Sequence, residues 1–560
     1  MPEILTVIVV GLVLIAASTL VAPRLGIASP LLLVAIGVAA SFLPAFQNLE
    51  IEPEWILAGV LPPLLYSSAV SMPAMNFRRE FGAISGLSVL LVVGSALVLG
   101  LFFMLVIPGL GFAWGVALCA IVSPTDAVAT SIIKQMPVSK RVVAMLDGES
   151  LLNDATALVL LRTAIVATAA SFSFWGALGT FAYSVAVAAA IGGLVGALNL
   201  AVRRRIGDPT VNTVLSFTVP FLAAVPAELL GASGLVAAVV AGLVTGIRAP
   251  RELSPQNRLS DSQNWRTVEL VLEGAVFLTM GVQITSILAK VEEDHAGIGP
   301  AVLIAVGALA LTVLVRAAYV APLLGILARR SKRLTTLGTR LQGMQQRIDS
   351  PEGARGAYTE VNPRRSPRGR PASERQLNQF ARRVTQGLAD IEYFLRAPLG
   401  WRDGTIVVWA GMRGAVTVAA AQTLPEDTPQ RSVLVLIAFT VAALSLLVQG
   451  GTIGPLLRAI TPKVDEKAVA GERTAEHTRI LELVRSAAEA VPAPETVERS
   501  TAGFLASRAH QLAVIAAQRD ALLDARDTGT FDAESLAEVL ANLDAAQIAI
   551  ELRGTPAAEG

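Results

Sequence analysis

Residues 112–133 read FAWGVALCAIVSPTDAVATSII, an apolar run interrupted once, at Ser123-Pro124-Thr125-Asp126. Its length matches the roughly 20 residues that a helix needs to cross a bilayer. A proline inside a helix removes a backbone donor and breaks the helix, and a broken helix at membrane depth is tolerated where protein covers it or where it lines a cavity. The stretch therefore predicts a membrane span with a functional break at Pro124, or, as the alternative, a simple kink in which Asp126 caps the following helix.

The composition of the whole chain agrees with a membrane protein. Hydrophobic residues make up 53% and charged residues 16% of the 560 residues, whereas a soluble domain carries about 25% charged residues. The net charge of +1 argues against a nucleic-acid partner, and the single cysteine, Cys119, excludes an intrachain disulfide. No basic residue precedes the first apolar run, so we expect a retained first span and not a signal peptide.

Thirteen apolar segments predict an all-α membrane protein with about 13 transmembrane helices. They lie near 3–22, 30–47, 54–72, 82–107, 112–133, 142–170, 174–201, 211–230, 234–248, 266–289, 299–328, 403–424 and 431–460. Lys and Arg concentrate in the loops after odd-numbered segments, as in Arg203-Arg204-Arg205, while the loops after even-numbered segments are acidic or neutral. The positive-inside rule then places the N-terminus outside and the C-terminus in the cytoplasm of a cell membrane.

The charge distribution predicts four regions. Residues 1–328 hold spans 1–11, residues 401–462 hold spans 12 and 13, and the 329–400 loop and the 463–560 tail lie outside the membrane. The loop carries 15 basic and 6 acidic residues, and its Pro-, Gly- and Arg-rich centre predicts partial disorder. It is either a solvated positive loop or a contact with anionic lipid head groups.

The tail predicts a small helical cytoplasmic domain, because its apolar residues recur at helical spacing. These residues include Ile480, Val484, Leu536 and Val539. Asp532 or Ser535 is the expected cap of the last helix.

The sixth span contains the unusual polar run Asp147-Gly-Glu-Ser-Leu-Leu-Asn-Asp154. An ionisable residue at mid-bilayer costs about 2.5–3.5 kcal/mol and is a functional candidate by default. Ser150 and Asp154 fall about 40° apart on the helix, with Asn153 beside them, while Glu149 faces away. The oxygens of the first three suit a hard cation; a structural hydrogen-bond cluster between helices is the alternative.

The twelfth span contains Gly411-Met-Arg413-Gly414, which predicts a second break. The buried Arg413 must find an anion, and Glu149 is the expected partner in a structural ion pair. Seven spans separate the two breaks, so their helices run in opposite directions. Two crossed discontinuous helices of inverted repeats have this arrangement in secondary transporters.

Five motifs together resemble the monovalent cation:proton antiporters, in the branch of bacterial NhaP-type and animal NHE-type sodium/proton exchangers. They are Leu61-Pro-Pro-Leu-Leu65, Ser123-Pro-Thr-Asp-Ala-Val-Ala129, Gly148-Glu-Ser-Leu-Leu-Asn-Asp154, Glu273-Gly-Ala-Val-Phe-Leu-Thr-Met-Gly281 and Gly411-Met-Arg-Gly-Ala-Val416. The resemblance implies a homodimer with a core domain and a dimerisation domain, and no cofactor. It also implies that Asp154 carries sodium and proton in turn.

By the same resemblance, Asp126, Thr125, Ser150 and Asn153 line the ion site, and Glu149 pairs with Arg413. The Asn153-Asp154 pair implies electroneutral exchange of one proton for one cation. Many relatives carry an acid just after the motif of span three, where this chain has Tyr66-Ser67-Ser68. Ser67 is therefore a candidate neutral oxygen ligand.

The predicted function is thus a non-enzymatic exchange of sodium for protons. Potassium or lithium are alternative cations, and a potassium/proton antiporter has the same fold. A cation channel, or a membrane sensor that signals through its tail, is a more distant alternative, although the tail shows no glycine-rich phosphate loop or catalytic cluster.

Overall fold

A computed structural model gives the arrangement of the chain. It describes residues 2–25, 27–43, 54–126, 128–134, 136–169, 174–294, 297–348, 351–361, 373–461, 466–493 and 501–552. The described residues form helices joined by turns and short non-helical segments, and they contain no strand. It forms two compact units, one of residues 1–253, 257–323 and 400–462, and one of residues 254–256, 324–399 and 463–560.

The helices before the 362–372 gap follow the apolar runs. They are α1 Pro2–Leu25, α2 Ser29–Ser41, α3 Leu61–Ser71, α4 Ala74–Ser85, α5 Leu91–Val106, α6 Phe112–Val122, α7 Val128–Lys134, α8 Lys140–Ala169, α9 Phe174–Arg203, α10 Pro209–Leu229, α11 Gly234–Glu252, α12 Pro255–Val282, α13 Ile284–Glu293, α14 Ile298–Ile348 and α15 Pro351–Val361.

The remaining helices complete the membrane segments and the tail. They are α16 Glu374–Arg396, α17 Trp401–Trp409, α18 Ala415–Gln422, α19 Arg431–Ser445, α20 Gly451–Ile460, α21 Glu466–Glu489, α22 Thr501–Thr528 and α23 Ala533–Leu552. Single π-helical stretches at Trp55–Val60, Gly86–Leu90 and Leu446–Gly450 lead directly into α3, α5 and α20.

Nine continuous helical segments within the described residues are long and apolar enough to cross a membrane. Three shorter apolar ones accompany them, at Ser29–Ser41, Trp55–Ser71 and Phe112–Val122. Each of the thirteen predicted segments overlaps one helix or consecutive helices. Large apolar side chains such as Leu194 and Leu303 are exposed, as expected where lipid and not water surrounds the helices. The prediction of an all-helical membrane fold is confirmed.

The first unit contains two packed groups of helices. In the scaffold group, α11 packs against α3, α9 and α10, over a core of small side chains such as Ala188, Ala223 and Ala237. Small residues allow membrane helices to approach closely. In the site group, α8 packs against α4, α6 and α7, and α6 also packs against α5, α18 and α19. The Asp154 helix, α8, is thus the centre of the site group.

The second unit joins the 329–400 loop to the tail. Ile480, Val484, Leu522 and Leu536 form one of its cores, and a second core surrounds Phe380. The Asp532 carboxylate accepts hydrogen bonds from the backbone at the start of α23, so Asp532 is the cap of that helix. The loop has helices α15 and α16 on either side of its centre; residues 362–372, where disorder was predicted, lie outside the described residues.

Candidate functional site

Two interrupted helices meet in the interior of the first unit. Helix α6 ends at Val122 and α7 begins at Val128, with Pro124 between them. Likewise α17 ends at Trp409 and α18 begins at Ala415. The two non-helical segments are in direct contact, because the backbone N–H of Asp126 donates to the carbonyl oxygen of Met412 at 2.8 Å.

Arg413 satisfies backbone groups that the two breaks release. Its Nε donates to the carbonyl of Val122 at 2.9 Å, and its Nη1 donates to the carbonyl of Gly411. Its own backbone N–H donates to the Ser445 hydroxyl at 2.9 Å. A helix end needs partners for its free carbonyls, and away from water a side chain must supply them. The arginine therefore fastens one break to the other.

Glycine is required at both ends of the second break by close approach of neighbouring side chains. An ideal Cβ at Gly414 would lie 2.7 Å from Asp126 Cγ, and one at Gly411 would lie 2.8 Å from Arg316 Cζ. Real Cβ contacts are essentially never this short. The Gly-Met-Arg-Gly motif thus makes room for a carboxylate on one side and a guanidinium on the other.

Helix α8 turns toward the first break the face that carries Ser150, Asn153 and Asp154, as their helical spacing predicts. The Asn153 amide donates to the Ser123 carbonyl at 2.9 Å and to the Thr125 hydroxyl at 3.1 Å. The Ser150 hydroxyl donates to the Thr125 carbonyl at 3.2 Å. Both residues therefore hold the non-helical segment against α8.

Asp154 lies in this junction with 7% of its surface exposed. Its Oδ1 is buried and accepts no hydrogen bond from any described residue, and the same is true of Asn153 Oδ1. The Asp126 carboxylate and the Thr125 backbone are neighbours of the Asp154 carboxyl. Asp126 also caps α7, because its Oδ1 accepts a hydrogen bond from the Val128 N–H at 3.0 Å. Oxygen atoms of this kind suit a proton or a small hard cation.

The ion pair at Glu149 differs from the prediction. Glu149 is bound by both terminal nitrogens of Arg316, with Nη2 2.6 Å from Oε2, and not by Arg413. All three side chains are buried and line one small cavity with Asn153. Arg316 reaches Glu149 because its Nε is anchored on the Val407 carbonyl at 2.8 Å, while the nitrogens of Arg413 are directed to backbone carbonyls. A lone arginine inside the apolar run 299–328 was the sequence signal for this role.

Ser67 contacts an acidic residue of another helix. Its hydroxyl donates to Glu269 Oε2 on α12 at 3.2 Å. Glu273 lies one helical turn later on α12. Both glutamates lie within the apolar segment 266–289, where an ionisable residue is a functional candidate by default, but the sequence predicted no specific role for either.

Comparisons with known proteins show the family to which the chain is similar. The family model described as "Sodium/hydrogen exchanger, transmembrane" matches residues 9–343 and 381–459. The uncharacterized Na(+)/H(+) exchanger Rv2287 of Mycobacterium tuberculosis is 27% identical over 463 residues, 81% of this chain and 74% of its own. The sodium, potassium, lithium and rubidium/H(+) antiporter of Bacillus subtilis is 30% identical over 304 residues, 52% of this chain and 45% of its own.

A solved structure supports the fold. The sodium proton antiporter MjNhaP1 from Methanocaldococcus jannaschii superposes with a TM-score of 0.56 at 16% identity, covering 82% of this chain and all of that chain.

Proposed function

Because the chain belongs to the sodium/hydrogen exchanger family of transmembrane proteins, we propose that it exchanges sodium for protons by alternating access around Asp154. The observation that carries this proposal is the Asp154 carboxylate, buried beside the first helix break with an oxygen that no described residue satisfies. A buried polar atom of this kind is costly unless it is bound. A transported proton or cation is the ligand that would satisfy it.

The same cost explains obligatory exchange. A bare carboxylate crosses a low-dielectric interior only at a large desolvation penalty, so Asp154 must be neutralised by a proton or by sodium before it changes sides. The two ions compete for one group, and movement of the site group against the scaffold group converts this competition into exchange. Ser150, Thr125, Asp126 and Asn153 Oδ1 supply further oxygens for the sodium ion.

Electroneutral exchange of one proton for one cation follows from the role of Asn153. Its amide group is neutral and its nitrogen already donates two hydrogen bonds to the first break, so it adds no second titrating group beside Asp154. Potassium and lithium are alternative cations. The Bacillus subtilis relative, whose name includes potassium and lithium, favours keeping the potassium/proton alternative. Ser67 stays a predicted ligand, acting together with Glu269.

The topology completes the proposal. The chain has thirteen spans that form two inverted repeats. The discontinuous helices of spans 5 and 12 cross where Asp126 contacts Met412. The chain is a homodimer in the cell membrane and serves pH homeostasis, with the N-terminus outside and the C-terminus in the cytoplasm. In this orientation α8 runs from the inside to the outside.

The test is sodium-driven proton flux in proteoliposomes made with the full chain and with Asp154→Asn. The variant keeps the side-chain volume and removes the charge, so we expect it to fold, to dimerise and to lose exchange entirely. Ser131→Asn, on α7 outside the proposed site, is the control for reconstitution. Exchange at the normal rate in Asp154→Asn would overturn the proposal.

Voltage control separates the remaining alternatives. Flux that depends on membrane potential contradicts the one-for-one stoichiometry, and a conductance without counter-flow of protons indicates a channel. A series of sodium, potassium and lithium gradients identifies the cation.

A further inference from the structure

We infer that the ion pair between Arg162 and Glu228 is a latch that holds one side of the Asp154 site closed; this inference rests on the proposed exchange. Arg162 Nη2 lies 3.1 Å from Glu228 Oε1. Arg162 belongs to α8 in the site group and Glu228 belongs to α10 in the scaffold group. The pair therefore connects the two helix groups whose relative movement alternating access requires.

The pair lies on one side of the ion site. Arg162 follows Asp154 by eight residues, which is about 12 Å along a helix, and Glu228 is the last residue but one of α10. At the opposite end of α8, the described ion pairs Arg141–Glu80 and Lys134–Asp147 join α8 to α4 and α7. Those pairs connect helices of the same group, so they do not have to break when the two groups separate.

The surroundings of the pair suit a contact that opens and closes. The side chains of Arg162 and Glu228 are 61% and 42% exposed, and charges in such a position need water or head groups and not hydrocarbon. A side chain at Gly234, the first residue of α11, would lie 3.0 Å from Glu228 Oε1, so the scaffold leaves space for the carboxylate there. An exposed ion pair is weak, and it can be broken and re-formed during each transport cycle.

The latch sets which side the empty site faces. When this end of α8 separates from α10, Asp154 gains access from the end that carries the pair, which is the outside in the proposed orientation. The pair therefore favours the state that is open to the inside. Apparent affinity is reduced by the fraction of molecules in the binding-competent state, so a broken latch raises the apparent affinity for sodium on one face and lowers it on the other.

The experiment uses oriented proteoliposomes with the full chain, and measures the sodium concentration for half-maximal exchange from each face. In Arg162→Glu and in Glu228→Arg we expect it to fall about two- to fivefold at the latch face and to rise by a similar factor at the opposite face. The double variant Arg162→Glu/Glu228→Arg, which reverses the pair, should restore the wild-type values. Glu392→Arg breaks an exposed pair with Arg396 inside the single helix α16. It should leave the sodium concentration for half-maximal exchange unchanged at both faces.

A purely structural role predicts something else. Loss of a structural contact lowers the melting temperature and the maximal rate. It changes the sodium concentration for half-maximal exchange by the same factor at both faces. Equal shifts at both faces, or a double variant that fails to restore them, would overturn the latch. If a reversed charge prevents folding, Arg162→Gln and Glu228→Gln are measured in the same way, and symmetric values there overturn it equally. Wild-type protein without exchange would refute the proposed function, whereas normal wild-type exchange with unshifted variants refutes only the latch.

Discussion

Replacement of Gly414 by alanine tests the geometry of the two breaks. The added Cβ would overlap Asp126 Oδ2 and would lie 2.7 Å from Asp126 Cγ, where ordinary contact begins at 3.4 Å, so one of the two side chains must retreat by more than about 0.7 Å. Asp126 cannot turn aside easily, because its Oδ1 caps Val128 and its backbone N–H is bonded to Met412. Overpacking of this kind costs about 1–3 kcal/mol, and a displacement of about 1 Å in a site can reduce the rate about 100-fold.

We expect Gly414→Ala to fold, to melt at a lower temperature and to lose most sodium/proton exchange in proteoliposomes. Gly94→Ala is the matched control: Gly94 lies on α5 and a Cβ there meets nothing within 4 Å, so the substitution should keep exchange and leave stability unchanged or raised by about 0.5–1 kcal/mol. Wild-type exchange and sodium affinity in Gly414→Ala would refute the reasoning that the approach of Asp126 to the second break defines the site.

Three further predictions follow from individual contacts. A double-mutant cycle of Glu149 and Arg316 on the free energy of unfolding should show coupling above about 2 kcal/mol, and the cycle of Glu149 with Arg413 a smaller value; the reverse order would contradict the pairing seen here. Asn153→Asp should lower the melting temperature, because an acceptor replaces the amide that donates two hydrogen bonds; unchanged stability would show that those bonds matter little. Asp532→Ala should destabilise the second unit by about 1 kcal/mol through loss of a helix cap, measured by hydrogen exchange in α23, with no change in exchange transport.

Local patterns in the sequence were sufficient for the position of the breaks and for the face of α8 that carries Ser150, Asn153 and Asp154. Proline and glycine act on the backbone where they stand, and helix geometry fixes the direction of side chains a few residues apart. Asn153 indeed reaches the segment around Pro124. These features depend on residues that are close in the chain, and for that reason they are readable without the fold.

The partner of Glu149 could not be read in the same way. Arg316 and Arg413 are both arginines inside apolar segments, and nothing in the sequence of either segment shows which of them pairs with Glu149. The choice depends on how α14 packs beside α17, where the Val407 carbonyl holds Arg316 and the absence of a side chain at Gly411 admits its guanidinium. The contact between Ser67 and Glu269 likewise joins residues 202 positions apart. Pairings across helices need the three-dimensional arrangement.

The contact between the loop helix α16 and the tail helix α22 has a consequence for biosynthesis. Helix α16 precedes the last membrane segments, but it packs against α22 of the tail, and the side chain of Gln386 donates to the Asp527 carbonyl 141 residues later. At about 5–20 residues per second, a ribosome needs roughly 7–28 s to make the chain between them. During that interval the face of α16 that will pack against α22 remains uncovered. A nascent chain stopped before α22 would therefore present this face to chaperones and proteases, so truncations of the tail should be judged first by the fate of α16.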